Sequence, residues 1–158
     1  LISNILGEGK SSRLYKRMVY KEQTVSSAGA WAYTPKFAGV FTVTASMKPG
    51  VGSAKAKRSI YSERYKLRKC KVKKAELEKA EKQMLMGYVS GLKTVSGKAR
   101  SIASTELLYG DYKLLFDDIS IYNNVTAEDI QRVAKKYFQP TTRSIIEVQP
   151  KKNESASL

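Results

Sequence analysis

The sequence predicts an α+β domain in which a small antiparallel sheet is covered by helices. Residues 40–47 alternate between apolar and polar side chains, the pattern of a half-buried strand. From Ala75 onward, apolar residues recur every three or four positions, the spacing of helices. After the end of a helix at residues 1–6, the predicted order is one helix, two strands, four helices and one strand. With 158 residues, 42% of them hydrophobic, the chain is predicted to form one domain over residues 1–150, followed by a polar tail, 151–158.

The first elements are short. Residues 1–6 form an apolar run that is typical of the end of a helix, with Gly7 as its stop. A second helix is predicted over residues 11–23, because Ser11 or Ser12 can cap it. Its apolar face consists of Leu14, Met18 and Val19.

Two strands follow. Residues 24–34 place Val25, Trp31 and Tyr33 on one face, and small alanines on the other. The second strand is 40–47, and the short connection before it makes the pair an antiparallel hairpin. Pro49 and Gly50 then mark a turn.

The rest of the chain is mainly helical. A helix over 53–70 is predicted to turn Ile60, Tyr61 and Tyr65 inward, and one long helix is predicted over 75–102. Shorter helices follow over 112–122 and 126–138, the latter with a capping box from Thr126 to Asp129. A last strand over 143–148 completes a sheet of only three strands. So thin a sheet indicates that strands are missing upstream or that another chain completes it.

One short motif suggests a nucleotide site. Gly9-Lys10-Ser11 has the ending of a phosphate-binding P-loop. The full motif needs a glycine where this chain has Asn4, and a strand just upstream, for which few residues are available. We therefore interpret the stretch as the start of a helix.

The composition excludes several chemistries. The chain has no histidine, which rules out a histidine-based zinc site, a catalytic triad and a histidine general base within it. Its one cysteine, Cys70, excludes an internal disulfide. Cys70 lies among basic residues and is interpreted as a surface thiol, because no histidine exists to activate it.

The net charge of +15 admits a polyanionic partner, and a nucleic-acid-binding module is the corresponding hypothesis. The basic residues are spread along the chain and the aromatic residues fall on predicted inner faces, so solvated helix faces are the favoured interpretation and no nucleic acid is expected. No membrane span is expected either, and the compartment stays open: soluble, cytoplasmic, or periplasmic if bacterial. The chain starts at Leu1, which suggests a fragment.

Six stretches, taken together in order and spacing, resemble the pitrilysin/insulinase-type zinc metallopeptidases, the inverzincin class. They are 6–17 (LGEGKSSRLYKR), 41–50, 75–80, 97–99, 110–112 and 125–137. The resemblance covers nearly the whole chain. It implies a protein built from homologous α+β halves that face each other like a clamshell.

In that family, one half carries HxxEH and a downstream glutamate, which bind zinc and activate water. The other half is catalytically incomplete, closes the chamber and helps to hold an extended peptide. This chain resembles the second, C-terminal half, lacking its first strands. The resemblance therefore implies no catalytic, cofactor-binding or metal-binding residues here, and zinc in the N-terminal half or in a partner subunit. The implied partners are that HxxEH half, a second family subunit and a peptide substrate.

Many family members supply an arginine and, seven residues later, a tyrosine that contact the substrate. The corresponding positions here are Val19 and Ser26, and neither side chain can take that role. The parent protein is therefore either a zinc-bearing subunit that relies on a partner, or an inactive structural or assembly subunit like the core proteins of respiratory complexes. We also expect the isolated chain to self-associate, through a sheet edge or the face of Trp31.

Overall fold

The structure, a computed structural model, describes residues 1–35 and 37–149, without the side chains of 117–121. The predicted polar tail, 151–158, lies outside the described residues. The α+β class is confirmed: a two-stranded antiparallel sheet is accompanied by helices. The elements are α1 (Ile2–Gly7), a π-helix (Tyr15–Lys21), β1 (Val25–Tyr33), β2 (Val40–Met47), α2 (Ser53–Lys69), α3 (Lys74–Gly91), α4 (Val95–Tyr109), α5 (Leu114–Asn123) and α6 (Ala127–Tyr137).

The hairpin of β1 and β2 contains a bulge that changes which side chains face inward. The register passes from Val25 opposite Met47 to Ser27 opposite Ser46, so Ser26 is an extra residue. Val25 is buried, whereas Trp31 is 48% exposed. The prediction that Val25 shares a face with Trp31 and Tyr33 is therefore wrong, because alternation with period two does not survive an inserted residue.

The predicted strand over 143–148 is wrong. Residues 143–149 have no regular structure, and the described sheet has two strands. The segment is instead tied to α2, where Glu147 accepts hydrogen bonds from Ser53, at 2.8 Å, and from Lys57. Ile146 is 87% exposed. A run of β-branched residues forms a strand only where a neighbouring strand can pair with it, and the described residues place no strand beside this segment.

The predicted long helix over 75–102 is two helices. The first, α3, ends at Gly91, and α4 begins at Val95. Thr94 caps α4, because its Oγ accepts from the N–H of Gly97 at 3.0 Å. Apolar residues keep a spacing of three across the link, at Leu92 and Val95, so periodicity alone gave no sign of the break.

The inward face of α2 also differs from the prediction. Its buried residues are Ala56, Ser59, Glu63 and Leu67, with Ile60 packed partly against the core. Tyr65, predicted to face inward, is 55% exposed. The polar members of this face, Ser59 and Glu63, are buried because they bind partners on the π-helix side, as described below.

Other predictions are confirmed. Strand β2 has the predicted bounds, and Gly50 has a φ of 76° at the predicted turn. Thr126 and Asp129 form the capping box of α6, and hydrogen bonds from Arg132 and Thr126 lower the pKa of Asp129 to about 2. The ring of Phe138, just beyond α6, lies 5.0 Å from that of Phe41 in β2, which joins α6 to the sheet.

Helix α1 packs directly on the backbone of β1. A Cβ on Gly7 would lie 2.0 Å from the backbone nitrogen of Ala30 and 2.6 Å from the carbonyl carbon of Gly29. Glycine is therefore required here for close approach, and it is Gly9, with a φ of 72°, that makes the left-handed turn after the helix.

Candidate functional site

The π-helix and the start of β1 form the region where the resemblance places its substrate-contacting residues. The helical turns begin at Arg13, and the N–H of Glu22 donates to the carbonyl of Arg17 at 2.7 Å, a bond that spans five residues. Neither predicted serine caps the helix through its side chain: the Ser12 Oγ is buried, with no hydrogen-bond partner among the described residues. π turns of this kind are frequent at functional sites.

Val19 and Ser26 lie on either side of a tight junction. Val19 packs against the core, and the Ser26 Oγ donates to the carbonyl of Ser46 at 3.2 Å from the bulge. Neither group offers a charge or a phenol to a ligand. The prediction that this chain carries no catalytic, cofactor-binding or metal-binding residue stays a prediction.

The junction itself is strained. Gln23 has a φ of 51°, in the left-handed region that favours glycine. The next residue, Thr24, is buried, and both its N–H and its hydroxyl donate to the carbonyl of Met18, at 3.0 and 3.3 Å. These bonds fix the turn from the π-helix into β1 and hold Gln23 in its unfavourable backbone conformation.

A network of charged side chains ties the π-helix to α2. Arg17 donates to Glu22 at 2.7 Å and to Glu63 at 3.0 Å, and Glu63 is only 5% exposed. The hydroxyl of Ser59 donates to Glu22 at 2.6 Å. Burial raises the pKa of Glu22, but the bonds from Arg17 and Ser59 outweigh it and leave that pKa lowered. The network therefore holds the carboxylate of Glu22 in its ionised form inside the junction.

A second ion pair joins the same region to α3. Arg13 donates from Nε and from a terminal nitrogen to the two carboxylate oxygens of Glu76, at 2.7 and 2.6 Å. The bidentate pair outweighs the effect of burial and lowers the pKa of Glu76. The charged groups of the candidate region therefore pair with one another: Arg17 with Glu22 and Glu63, and Arg13 with Glu76. The region acts as a structural support.

The other sequence candidates are separate from this region. The loop of Gly9, Lys10 and Ser11 follows α1 and not a strand, so the setting of a P-loop is missing. Cys70 is a free, exposed thiol at the end of α2. Within the described part of the chain, no three histidine, cysteine, aspartate or glutamate residues lie together as metal ligands would.

Sequence reasoning missed one cluster of cationic side chains. Arg64 on α2 and Arg143 after α6 lie over the ring of Tyr61, and Arg68 on α2 lies close enough for its charge to act on Arg64. The spacing of Arg64 and Arg68 by one helical turn was a visible signal. No local pattern links them to Arg143, which is 75 residues beyond Arg68 in the sequence and is brought near by the extended segment along α2.

A wide groove of about 960 Å³ runs beside α3. Its lining includes Met84, Leu85 and Tyr88 from that helix and Asn4 from α1. The neighbouring helices expose further large apolar side chains, among them Val95, Leu107, Tyr109, Leu114 and Phe116. Exposed apolar side chains, where they lie together, mark contacts with other protein surfaces.

Solved structures share this fold. A protease from Helicobacter pylori matches with a TM-score of 0.81 at 29% identity, over 89% of this chain and 34% of that one. A Bordetella parapertussis structure of an inactive peptidase domain matches with a TM-score of 0.79 at 21% identity, over 90% of this chain and 77% of that one. The fold is that of the inactive peptidase lobe.

Residues 1–84 match the family described as the peptidase M16 inactive domain, and the chain belongs to this family. The resemblance drawn from the sequence is thereby confirmed. Among curated relatives, the zinc protease PqqE of Helicobacter pylori is 29% identical over 94% of this chain. An uncharacterized zinc protease of Rickettsia felis is 28% identical over 92% of it. The chain spans about a third of the length of these relatives, 33% and 35%. None of the described helices combines the length and apolarity that crossing a membrane requires.

Proposed function

We propose that this chain is the non-catalytic C-terminal part of a zinc metalloendopeptidase, and that it closes the peptide-binding chamber opposite a half that carries HxxEH. The observation that carries the proposal is membership of the inactive-domain family. The names of the relatives, which are zinc proteases, support the reaction class. In this proposal residues 1–150 act as one lobe, and the tail is a polar extension.

The proposal assigns zinc to another part of the protein. The chain has no histidine, and its described carboxylates form no metal-binding group. The carboxylates closest to the candidate region, Glu22, Glu63 and Glu76, are already bound by arginine. The contribution of this lobe is therefore a shaped wall that excludes water and orients an extended peptide.

The test compares this chain alone, an HxxEH-bearing half or partner subunit alone, and the two together. Zinc content and cleavage of a quenched fluorescent peptide library are measured for each. We expect this chain alone to bind no stoichiometric zinc and to cleave nothing, and the combination to cleave faster than the HxxEH half alone. Stoichiometric zinc in this chain alone, rising and falling with activity, would contradict the proposal.

A second candidate is an inactive structural or assembly subunit of the same family. The observation that favours it is the pair of Val19 and Ser26, one packed in the core and the other bonded to the backbone. Finding HxxEH and a downstream glutamate in the same gene would support the peptidase. Their absence from that gene would support the structural or assembly subunit. Under either candidate, placing arginine at Val19 and tyrosine at Ser26 should leave the activity of a heterodimer unimproved. A large gain would mean that these positions face substrate and that the partner's own pair is not used.

The lobe needs a partner surface. Strand β1 exposes Trp31 and Tyr33, and the groove beside α3 has Met84, Leu85 and Met86 in its lining. We propose that these surfaces meet the HxxEH half in the complete protein and that in its absence the chain self-associates. Sedimentation velocity should show concentration-dependent association that Trp31→Ser weakens. A monodisperse monomer at high concentration would rule out self-association.

A further inference from the structure

The arginine cluster around Tyr61 differs from the other cationic groups of the chain. The guanidinium carbon of Arg143 lies 4.1 Å from the centre of the Tyr61 ring, and that of Arg64 lies 5.3 Å from it. Arg68 follows Arg64 by one turn of α2 and donates to the side-chain oxygen of Gln139 at 3.2 Å. Three permanent positive charges therefore meet where α2, the end of α6 and the extended segment come together.

The cluster has no counter-charge in the described part of the chain. Arg13, Arg17 and Arg132 each bind a carboxylate, whereas none of the three arginines of the cluster forms an ion pair there. The Nε atoms of Arg64 and Arg68 are buried and have no hydrogen-bond partner among the described residues. Burial, followed by the charges of Arg143 and Arg68, lowers the pKa of Arg64. Buried donors without acceptors cost free energy, which an acceptor bound at this place would recover.

A hollow adjoins the cluster. It has a volume of about 270 Å³ and is lined by Tyr65, Arg68, Lys69 and Lys135, with no acidic side chain in its lining. The volume is ample for a small oxyanion, and the two lysines add charge of the same sign. Of the cluster, Arg68 lines this hollow. The extended segment that carries Arg143 is held in place separately, since Glu147 anchors it to Ser53 and Lys57 on α2. The site is therefore assembled by the fold before any ligand arrives.

We propose that this cluster is a binding site for a phosphate-type oxyanion, either free phosphate or the phosphoryl group of a small monoester. Guanidinium groups present paired N–H donors in a plane, which match the oxygens of a phosphoryl group. A dianion matches three convergent arginines better than a single carboxylate does, because one carboxylate leaves two of the charges uncompensated. The ring of Tyr61 holds the guanidinium groups of Arg64 and Arg143 by cation–π contact.

The proposal and a purely structural role predict opposite effects of mutation. If the arginines only packed on Tyr61, Arg64→Gln would lower the melting temperature in every buffer. If the arginines form an anion site, Arg64→Gln relieves the repulsion among them in phosphate-free buffer. The melting temperature of the variant then equals or exceeds that of the wild type in that buffer. In phosphate the order reverses, because only the wild type gains stability from the ligand.

The experiment uses the full chain at constant ionic strength, with chloride exchanged for inorganic phosphate or methyl phosphate. Thermal unfolding and isothermal titration calorimetry are recorded for the wild type, Arg64→Gln, Arg143→Gln and the control Arg58→Gln. Arg58 is exposed on the same helix, outside the cluster, and its loss changes the net charge equally. We expect Arg64→Gln and Arg143→Gln each to weaken phosphate binding by roughly tenfold or more, and Arg58→Gln to leave it within about twofold.

Inorganic phosphate and methyl phosphate distinguish a site for the free ion from a site for a phosphoryl group. Equal binding of both identifies a site for a phosphoryl group on a larger molecule, and binding of inorganic phosphate alone identifies a site for the free ion. The proposal is overturned if neither probe binds to the wild type, or if Arg58→Gln loses as much affinity as Arg64→Gln. The second result would mean that only net charge attracts the anion.

Discussion

Replacing Gly7 by alanine probes how α1 is seated on the sheet. The added Cβ would lie 2.0 Å from the nitrogen of Ala30 and 2.6 Å from the carbonyl carbon of Gly29, whereas carbon atoms in contact normally lie about 3.5–4.0 Å apart. The obstructing atoms are backbone, so no side-chain rotation relieves the overlap. Either α1 or β1 must move by more than an ångström.

The cost follows from that geometry. Overpacking a core costs about 1–3 kcal/mol, and an overlap with backbone places Gly7→Ala near the upper figure, about 3 kcal/mol. For a chain of 158 residues this corresponds to a fall in melting temperature of roughly 6–12 °C. The assay is urea and thermal unfolding followed by far-ultraviolet circular dichroism.

Gly87→Ala is the matched control. A Cβ at Gly87, inside α3, meets no atom within 4 Å. Alanine there should raise the free energy of unfolding by up to about 1 kcal/mol, because glycine disfavours a helix interior. A Gly7→Ala protein as stable as the wild type would show that α1 does not sit on β1 as described. Equal losses in both variants would refute the steric argument.

Three further predictions concern the caps, the charges and the strained turn. Thr126→Ala should lower the free energy of unfolding, measured with urea, by about 1 kcal/mol. Asp129→Asn should weaken the dependence of that free energy on pH in acid. The folded pKa of Asp129, about 2, lies below its ordinary value of 3.8, so its contribution is complete above pH 4 and is lost as the pH falls through 2; an unchanged pH dependence in acid would contradict this. Glu63→Gln should cost about 2 kcal/mol because it leaves Arg17 short of a charged acceptor, and a neutral result would mean that Glu22 alone suffices. Gln23→Gly should raise the free energy of unfolding by about 1 kcal/mol, and a loss of stability would show that the Gln23 side chain makes a contact worth more than the strain.

Features that depend on neighbouring residues could be predicted from the sequence. The bounds of β2 follow from alternation that no insertion interrupts, and the Thr126 cap follows from two residues three positions apart. Three errors share a cause: each depends on a partner distant in the chain. Ser26 is a bulge because of its register against β2, 143–149 is not a strand because nothing pairs with it, and α2 turns Glu63 inward because Arg17 meets it there.

The same distinction applies to the candidate sites. Val19 and Ser26 could be identified from the sequence because they lie seven residues apart in one continuous stretch, as the arginine and tyrosine of the family do. Of the arginine cluster, the sequence could indicate only Arg64 and Arg68, which lie one helical turn apart. Arg143 is brought to them by the folded course of the extended segment, which the sequence does not show. The absence of histidine, a property of composition, needed no structure at all.

The π turn and the bulge have a consequence for comparing this chain with its relatives. Each adds one residue to an otherwise regular element, and they lie on either side of Gln23. A homologue lacking one of these insertions would be a residue shorter here, and placing its gap inside β1 would invert the faces of the whole strand. The gap belongs at the π turn or at Ser26. The seven-residue interval from Val19 to Ser26 spans both insertions. A gap at the π turn would therefore move the first equivalence, counted back from Ser26, from Val19 to Met18, which is buried.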